Sequence, residues 1–275
     1  MDRVLLLQLV SVFLVTQLLG VAVGITLIKG IASGQIAQPT VVNDNPEDPI
    51  NSVALIAYIL VFTGLLLLFS RYLKGGFLFR WLEITVVFST SLIVFGAFLP
   101  SAALMFALFL TILRAALPDE VALRNITAII AVSGVGALMG VTLGVIPVLV
   151  FLILLACYDF IAVFKTKHMV SLAKEITKRN LAFTVAMPTP RHQFELGTGD
   201  LALPLVFAVS AMKSGQALGY PLYLAMPALI MAASLAGLVL TMNYSSRHVG
   251  KALPALPPQV VLMLAAWLVG RAIGI

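Results

Sequence analysis

The sequence predicts an all-α, polytopic membrane protein of nine transmembrane helices, with the N-terminus cytoplasmic and the C-terminus extracytoplasmic. Three observations predict it. The 275 residues are 61% hydrophobic and 10% charged, with mean hydropathy +1.10, whereas soluble domains carry about a quarter charged residues. Apolar runs near 20 residues recur nine times, each long enough to cross about 30 Å of hydrocarbon at about 1.5 Å per helical residue. Threading the chain through those runs puts 14 of the 17 Lys and Arg on one side. Basic residues favour the cytoplasm, so the net charge of +6 orients helices and does not point to nucleic acid.

The expected spans are 4–28, 50–69, 82–99, 101–117, 126–143, 145–164, 197–218, 220–242 and 257–275. The first is too long, and too weakly basic at its front, for a cleaved signal peptide. The loop after it contains "PTVVNDNPEDPIN", acidic and proline-rich, which suits the extracytoplasmic side. Glu83 falls one turn into the third span near Arg80, where an interfacial pair is expected. Arg114, Asp119, Glu120 and Arg124 blur the junction of the fourth and fifth spans. The fifth carries Gly136, Gly140 and Gly144 four apart, a spacing that lets helices pack closely.

The chain divides into 1–164 with six helices, a cytoplasmic connection 165–196, and 197–275 with three more. In the connection, "KTKHMVSLAKEITKR" places Met169, Leu172, Ala173 and Ile176 among basic residues, which predicts a short interfacial amphipathic helix. Two prolines in "AMPTPRHQ" then break any helix. A solvated linker with a basic face is the plain alternative.

Redox and metal chemistry find little purchase. The single Cys157 excludes an internal disulfide and reads as a small buried apolar residue. His168, His192 and His248 fall in polar connections without metal-ligand spacing, so neither metal nor cofactor is expected.

Of eleven acidic residues, Asp159 and Asp200 alone fall well within spans away from a basic neighbour. A carboxylate in the membrane is expensive and usually marks a working site. The sixth span leaves the bilayer near Lys165, six residues or ~9 Å of helix beyond Asp159. The seventh begins near Leu196, four residues or ~6 Å before Asp200. These helices are consecutive and antiparallel, so both acids sit at one shallow depth below the cytoplasmic face. Close carboxyls share a proton and titrate as a pair. That suits aspartic-protease chemistry, in which one member activates water and the other protonates the scissile carbonyl oxygen. The rival readings are a cation or proton-coupled transporter or leak channel using the same acids, and a structural polar pair.

Three short motifs surround the acids. In "GTGD", Gly197 and Gly199 flank Thr198 and remove side chains ahead of Asp200, which would permit positive φ and close approach of another chain. Tyr158 in "CYDF" offers a hydroxyl that shields the pair or simply anchors the helix at the interface. In "ALPALPPQ", Pro254, Pro257 and Pro258 keep the chain extended before the last span. That stretch is either an ordinary proline-marked helix start or a rigid strip, Pro254, Ala255 and Leu256, beside the acids.

"YD", "GTGD" and "PAL", in this order on the sixth, seventh and ninth spans, make the chain resemble the presenilin and signal peptide peptidase family of GxGD-type intramembrane aspartyl proteases. The resemblance implies that Asp159 and Asp200 are the catalytic dyad. It implies that Tyr158, Gly197, Thr198 and Gly199 shape the active site, and that Pro254, Ala255 and Leu256 position the substrate. The implied partners are the bilayer and a transmembrane helix of a substrate protein. The charge distribution matches the presenilin orientation rather than that of signal peptide peptidases. The short connection between spans six and seven is similar to that of a microbial or archaeal homologue in the cell membrane, working without accessory subunits; a homo-oligomer stays open, as does an endomembrane location in a eukaryote. Prepilin and preflagellin peptidases share the GxGD motif but have fewer spans and lack the proline motif.

Overall fold

The computed structural model describes residues 3–72, 76–161, 181–189, 193–247 and 254–275. Among them are nine α-helices: α1 (Arg3–Ala32), α2 (Ile50–Tyr72), α3 (Gly76–Phe98), α4 (Ala103–Ala116), α5 (Val121–Thr142), α6 (Val145–Ile161), α7 (Thr198–Ser214), α8 (Ala225–Arg247) and α9 (Leu256–Ala272). They match the nine expected runs one for one. By length and composition α1, α3, α5, α7 with its following turn, and α8 can cross a membrane, and the other four carry shorter apolar stretches. The amphipathic helix expected after Lys165 and all three histidines lie outside the described residues.

Helix ends shift where polar residues find partners. α3 begins at Gly76, not near 82, and so includes Arg80 and Glu83. Glu83 is not an interfacial residue: it is fully buried, paired with Arg80 at 2.6 Å and with Arg114 at 2.8 Å. It also accepts the Ala182 N–H at 2.9 Å. A carboxylate survives in such a place only when its oxygens are saturated by donors. α5 begins at Val121, not near 126, and takes in Arg124 and Asn125. α8 begins at Ala225, not near 220, because short 3-10 turns and Gly219 at φ 73 occupy the interval.

Three further expectations are overturned. The chain is not wholly α: Thr184–Pro188 (β1) and Gln193–Gly197 (β2) form an antiparallel hairpin, with Thr184 opposite Gly197 and Ala186 opposite Glu195. Nor is this stretch a solvated linker, since Leu181, Ala182, Val185, Ala186, Met187 and Leu196 are buried. Prolines that end a helix are compatible with a strand terminus, and Pro188 closes β1. Cys157, expected to be buried, is exposed on α6. An exposed position on an apolar membrane helix meets lipid, so a small thiol there needs no protein cover.

The core is built around α7. Leu201 and every residue from Leu203 to Met212 are buried, as expected of a helix that is apolar all round. In lipid, helices associate by close packing at small residues rather than by escape from water. α5 and α1 each supply two glycines four apart, and the same two side chains of α7 fill both pairs. Leu205 seats against Gly20 and Gly136, and Val209 against Gly24 and Gly140. Gly144 instead receives the side chain of Glu47.

A methyl group on Gly140 would lie 2.6 Å from Val209 Cβ and 2.9 Å from the Val206 carbonyl oxygen, which is backbone and cannot swing away. Gly140→Ala is therefore expected to destabilise the fold by about 1–3 kcal/mol. Gly96→Ala, into open space, should hold or raise stability. Unfolding temperatures of the purified variants in detergent check both.

Candidate active site

Asp159 stands two residues before the end of α6 and Asp200 is the third residue of α7, so both acids occupy helix ends at the same side of the bundle. Each is half-buried. Asp200 lies within electrostatic reach of Asp159, and Asp159 in turn of the neighbouring Tyr158.

The start of α9 completes the arrangement. The Leu256 N–H donates a hydrogen bond to the Asp159 carboxyl. The first turn of a helix leaves N–H groups without partners, and each is costly in an apolar setting. Pro257 and Pro258 have no N–H, so within Leu256–Gln259 the donors are Leu256 and Gln259 alone. The proline pair thus removes orphan donors and leaves one aimed at the acid, at the positive end of the helix dipole. Pro254 is buried, and Ala255 packs against the cluster of Leu201, Leu238 and Met242. Asp159, Asp200 and the Pro254–Leu256 strip are therefore brought together from three separate elements.

Gly197 serves by absence of bulk, not by unusual backbone. Its φ −63 and ψ 136 suit any residue, and the positive-φ glycines among the described residues are Gly34, Gly219 and Gly274. The expectation of positive φ at Gly197 and Gly199 is thus overturned. A Cβ at Gly197 would lie 3.4 Å from Asp200 Oδ2, so the glycine opens room beside the carboxyl. Gly199, in the first helical turn, has nothing within 4 Å of its open side. Thr198 pins the junction: its N–H and hydroxyl both donate to the Phe183 carbonyl, at 3.3 and 3.0 Å. Pro204 has no N–H to return to the Asp200 carbonyl four residues earlier. Bracing comes from α1 instead, where Gln17 Nε2 donates to the Leu201 carbonyl at 2.8 Å.

Among the described residues no group of three or more His, Cys, Asp and Glu side chains has a metal-holding arrangement. A cavity of about 700 Å³ opens at the far end of the helices, between Val145, Met226 and Trp267, and does not touch the acids. The sequence reading passed over Glu195, whose strand leads directly into the "GTGD" turn. The signal for it was Arg124, a cation placed where apolar spans should meet, which pairs with Glu195 at 3.0 Å.

A model of the family described as signal-peptide peptidase, presenilin aspartyl protease matches residues 10–273. The chain belongs to that family. Two solved structures described as a presenilin family intramembrane aspartate protease share the fold. One, in space group C222, is 23% identical with TM-score 0.68 over 100% of both chains. The other, in space group P2, is 28% identical with TM-score 0.63 over 94% of this chain and 97% of its own. A comparison with curated proteins finds no match. As a presenilin-family protein the chain is a multi-pass membrane protein and an intramembrane aspartic endopeptidase. Neither geometry nor comparisons favour the transporter reading of this presenilin-family chain.

Replacing Gly197 by Val would crowd a branched side chain, its Cβ 3.4 Å from Asp200 Oδ2, into the space beside the carboxyl without straining the backbone. The variant is expected to fold with an unchanged unfolding temperature yet lose about tenfold or more in kcat. Peptide cleavage assayed beside thermal melts separates the two effects.

Proposed function

We propose that Asp159 and Asp200 cleave peptide bonds within transmembrane segments by shared general acid and base catalysis. The observation that carries this reading is the meeting of the two acids with the Leu256 N–H, which ties all three motifs to one place. Of two neighbouring carboxyls holding one proton, the ionised member takes a proton from water, and the protonated member donates to the scissile carbonyl oxygen. The hydroxide equivalent adds to the carbonyl carbon, and return of a proton to the leaving amine breaks the C–N bond. Both acids stand only partly buried at the end of the bundle, where water can be drawn from the adjoining aqueous face.

A substrate helix has its carbonyls internally bonded and must unwind locally before attack. The unwound strand needs new backbone partners, and addition beside an extended segment supplies them. The Pro254–Leu256 strip and the start of α7 flank the space where that strand would lie, with Gly197 and Gly199 leaving it open. Fourteen of the 17 basic residues fall on the side of the acids. That charge split, read from the sequence, supports an orientation with the acids toward the cytoplasm, the N-terminus inside and the C-terminus outside. The short connection between α6 and α7 supports action without accessory subunits.

The test is incubation of the purified protein with a transmembrane peptide, with products read by mass. Wild-type protein should yield fragments that a transition-state-mimicking aspartyl inhibitor suppresses. Asp159→Ala and Asp200→Ala should each abolish them while melting as the wild type does; substantial residual cleavage in either refutes the dyad. The rate should pass through a maximum with pH, because both carboxyls protonated leaves no base and both ionised leaves no acid.

A further inference from the structure

The position of Asp200 depends on a hairpin too small to hold itself. Two five-residue strands are marginal without outside support, yet β2 runs into α7 through Gly197 with no intervening loop. Support comes from two consecutive residues at the start of α5. Arg124 Nη2 reaches both oxygens of Glu195 on β2, at 3.0 and 3.1 Å. Asn125 takes the peptide group of Ala186 on β1 from both sides: its Nδ2 donates to the carbonyl at 2.8 Å, and its Oδ1 accepts the N–H at 2.8 Å. That is the pairing a third strand would offer.

Ala186 and Glu195 are cross-strand partners, so both hooks grip the same rung of the hairpin. Thr184 adds a third bond across the strands, its hydroxyl donating to Glu195 Oε2 at 2.8 Å. Arg124 is 1% exposed, so its charge is tolerated only while Glu195 answers it. A hairpin slipped by one residue would point Glu195 to the other face and break this pairing. It would also carry Gly197 along by about 3.3 Å.

We propose that Arg124 and Asn125, acting through the Ala186–Glu195 rung, set the level at which Asp200 meets Asp159, and are positioning residues for intramembrane cleavage. The assignment rests on the reading of Asp200 as catalytic. The grip is specific to register: guanidinium and carboxamide, side by side on a rigid helix, accept one alignment of the two strands and reject its neighbours.

The test uses full-length protein reconstituted in lipid nanodiscs and a transmembrane peptide substrate, with active sites counted by titration with a transition-state-mimicking aspartyl inhibitor. Arg124→Gln and Glu195→Gln should each lower kcat per titrated site about tenfold or more, with KM within about twofold of wild type. The double variant should be no worse than the poorer single one, since both remove one interaction. A loss of titrated sites with kcat per site unchanged would mark a merely structural role and overturn the proposal. Should the charge variants fail to fold, Thr184→Val removes one hydrogen bond and Asn125→Ala removes two, and both leave the ion pair; each should lower kcat about threefold or more. Wild-type kcat in both overturns the proposal. Asp200→Asn is assayed alongside. If it still cleaves, the catalytic reading fails and takes the proposal with it; if it is inactive while the clamp variants cleave normally, the clamp alone fails.

Discussion

Helix α7 has no access to water or lipid along most of its length, and the molecule is arranged around that confinement. A helix enclosed on every side gains little from polar decoration, so its enclosed stretch is apolar except for Ser210, which donates to the Leu143 carbonyl, and it seats Leu205 and Val209 in glycine notches on two neighbours. Its confinement also gives its first residues a fixed address. Asp200, at the threshold of the enclosed stretch, inherits that rigidity while remaining only partly buried.

Charge is handled by the same logic at the end of the bundle that holds the acids. Five ionisable side chains, Arg80, Glu83, Arg114, Arg124 and Glu195, are drawn inward and paired with one another, and Glu83 also accepts the Ala182 N–H. These residues replace the water that irregular backbone would otherwise need where α3, α4, α5 and the hairpin converge. The start of α9 solves a related difficulty by different means. Two prolines delete donors that would have lacked partners, and of the two donors left in the first turn the Leu256 N–H is given to Asp159.

Much of this was legible in the sequence because lipid enforces a narrow grammar. Nine apolar runs became nine helices, and the matched depth of Asp159 and Asp200 followed from counting residues along antiparallel neighbours. What escaped notice was decided by long-range pairing. Glu83 read as an interfacial acid because Arg80 was its visible neighbour, while Arg114, which buries it, lies 31 residues away. The hairpin escaped because "AMPTPRHQ" announces only the end of a helix, and nothing local reveals that Asn125, 61 residues away from Ala186, will serve as its third strand. Gly197 was noticed for the right reason, freedom from a side chain, but the benefit is space for a carboxyl rather than an unusual torsion. Gly20 and Gly24 on α1 mirror the pair on α5, but nothing in the local sequence around them marks which helix they face.

Those mirrored notches set a ceiling. Glycine has no smaller replacement, so the hollows that receive Leu205 and Val209 are already as deep as a polypeptide can make them. Volume at the two knobs can be surrendered by later change but not enlarged, and a shrunken knob would leave a void that neither flanking helix could fill without regaining a side chain. Refinement of this bundle's interior therefore has one open direction.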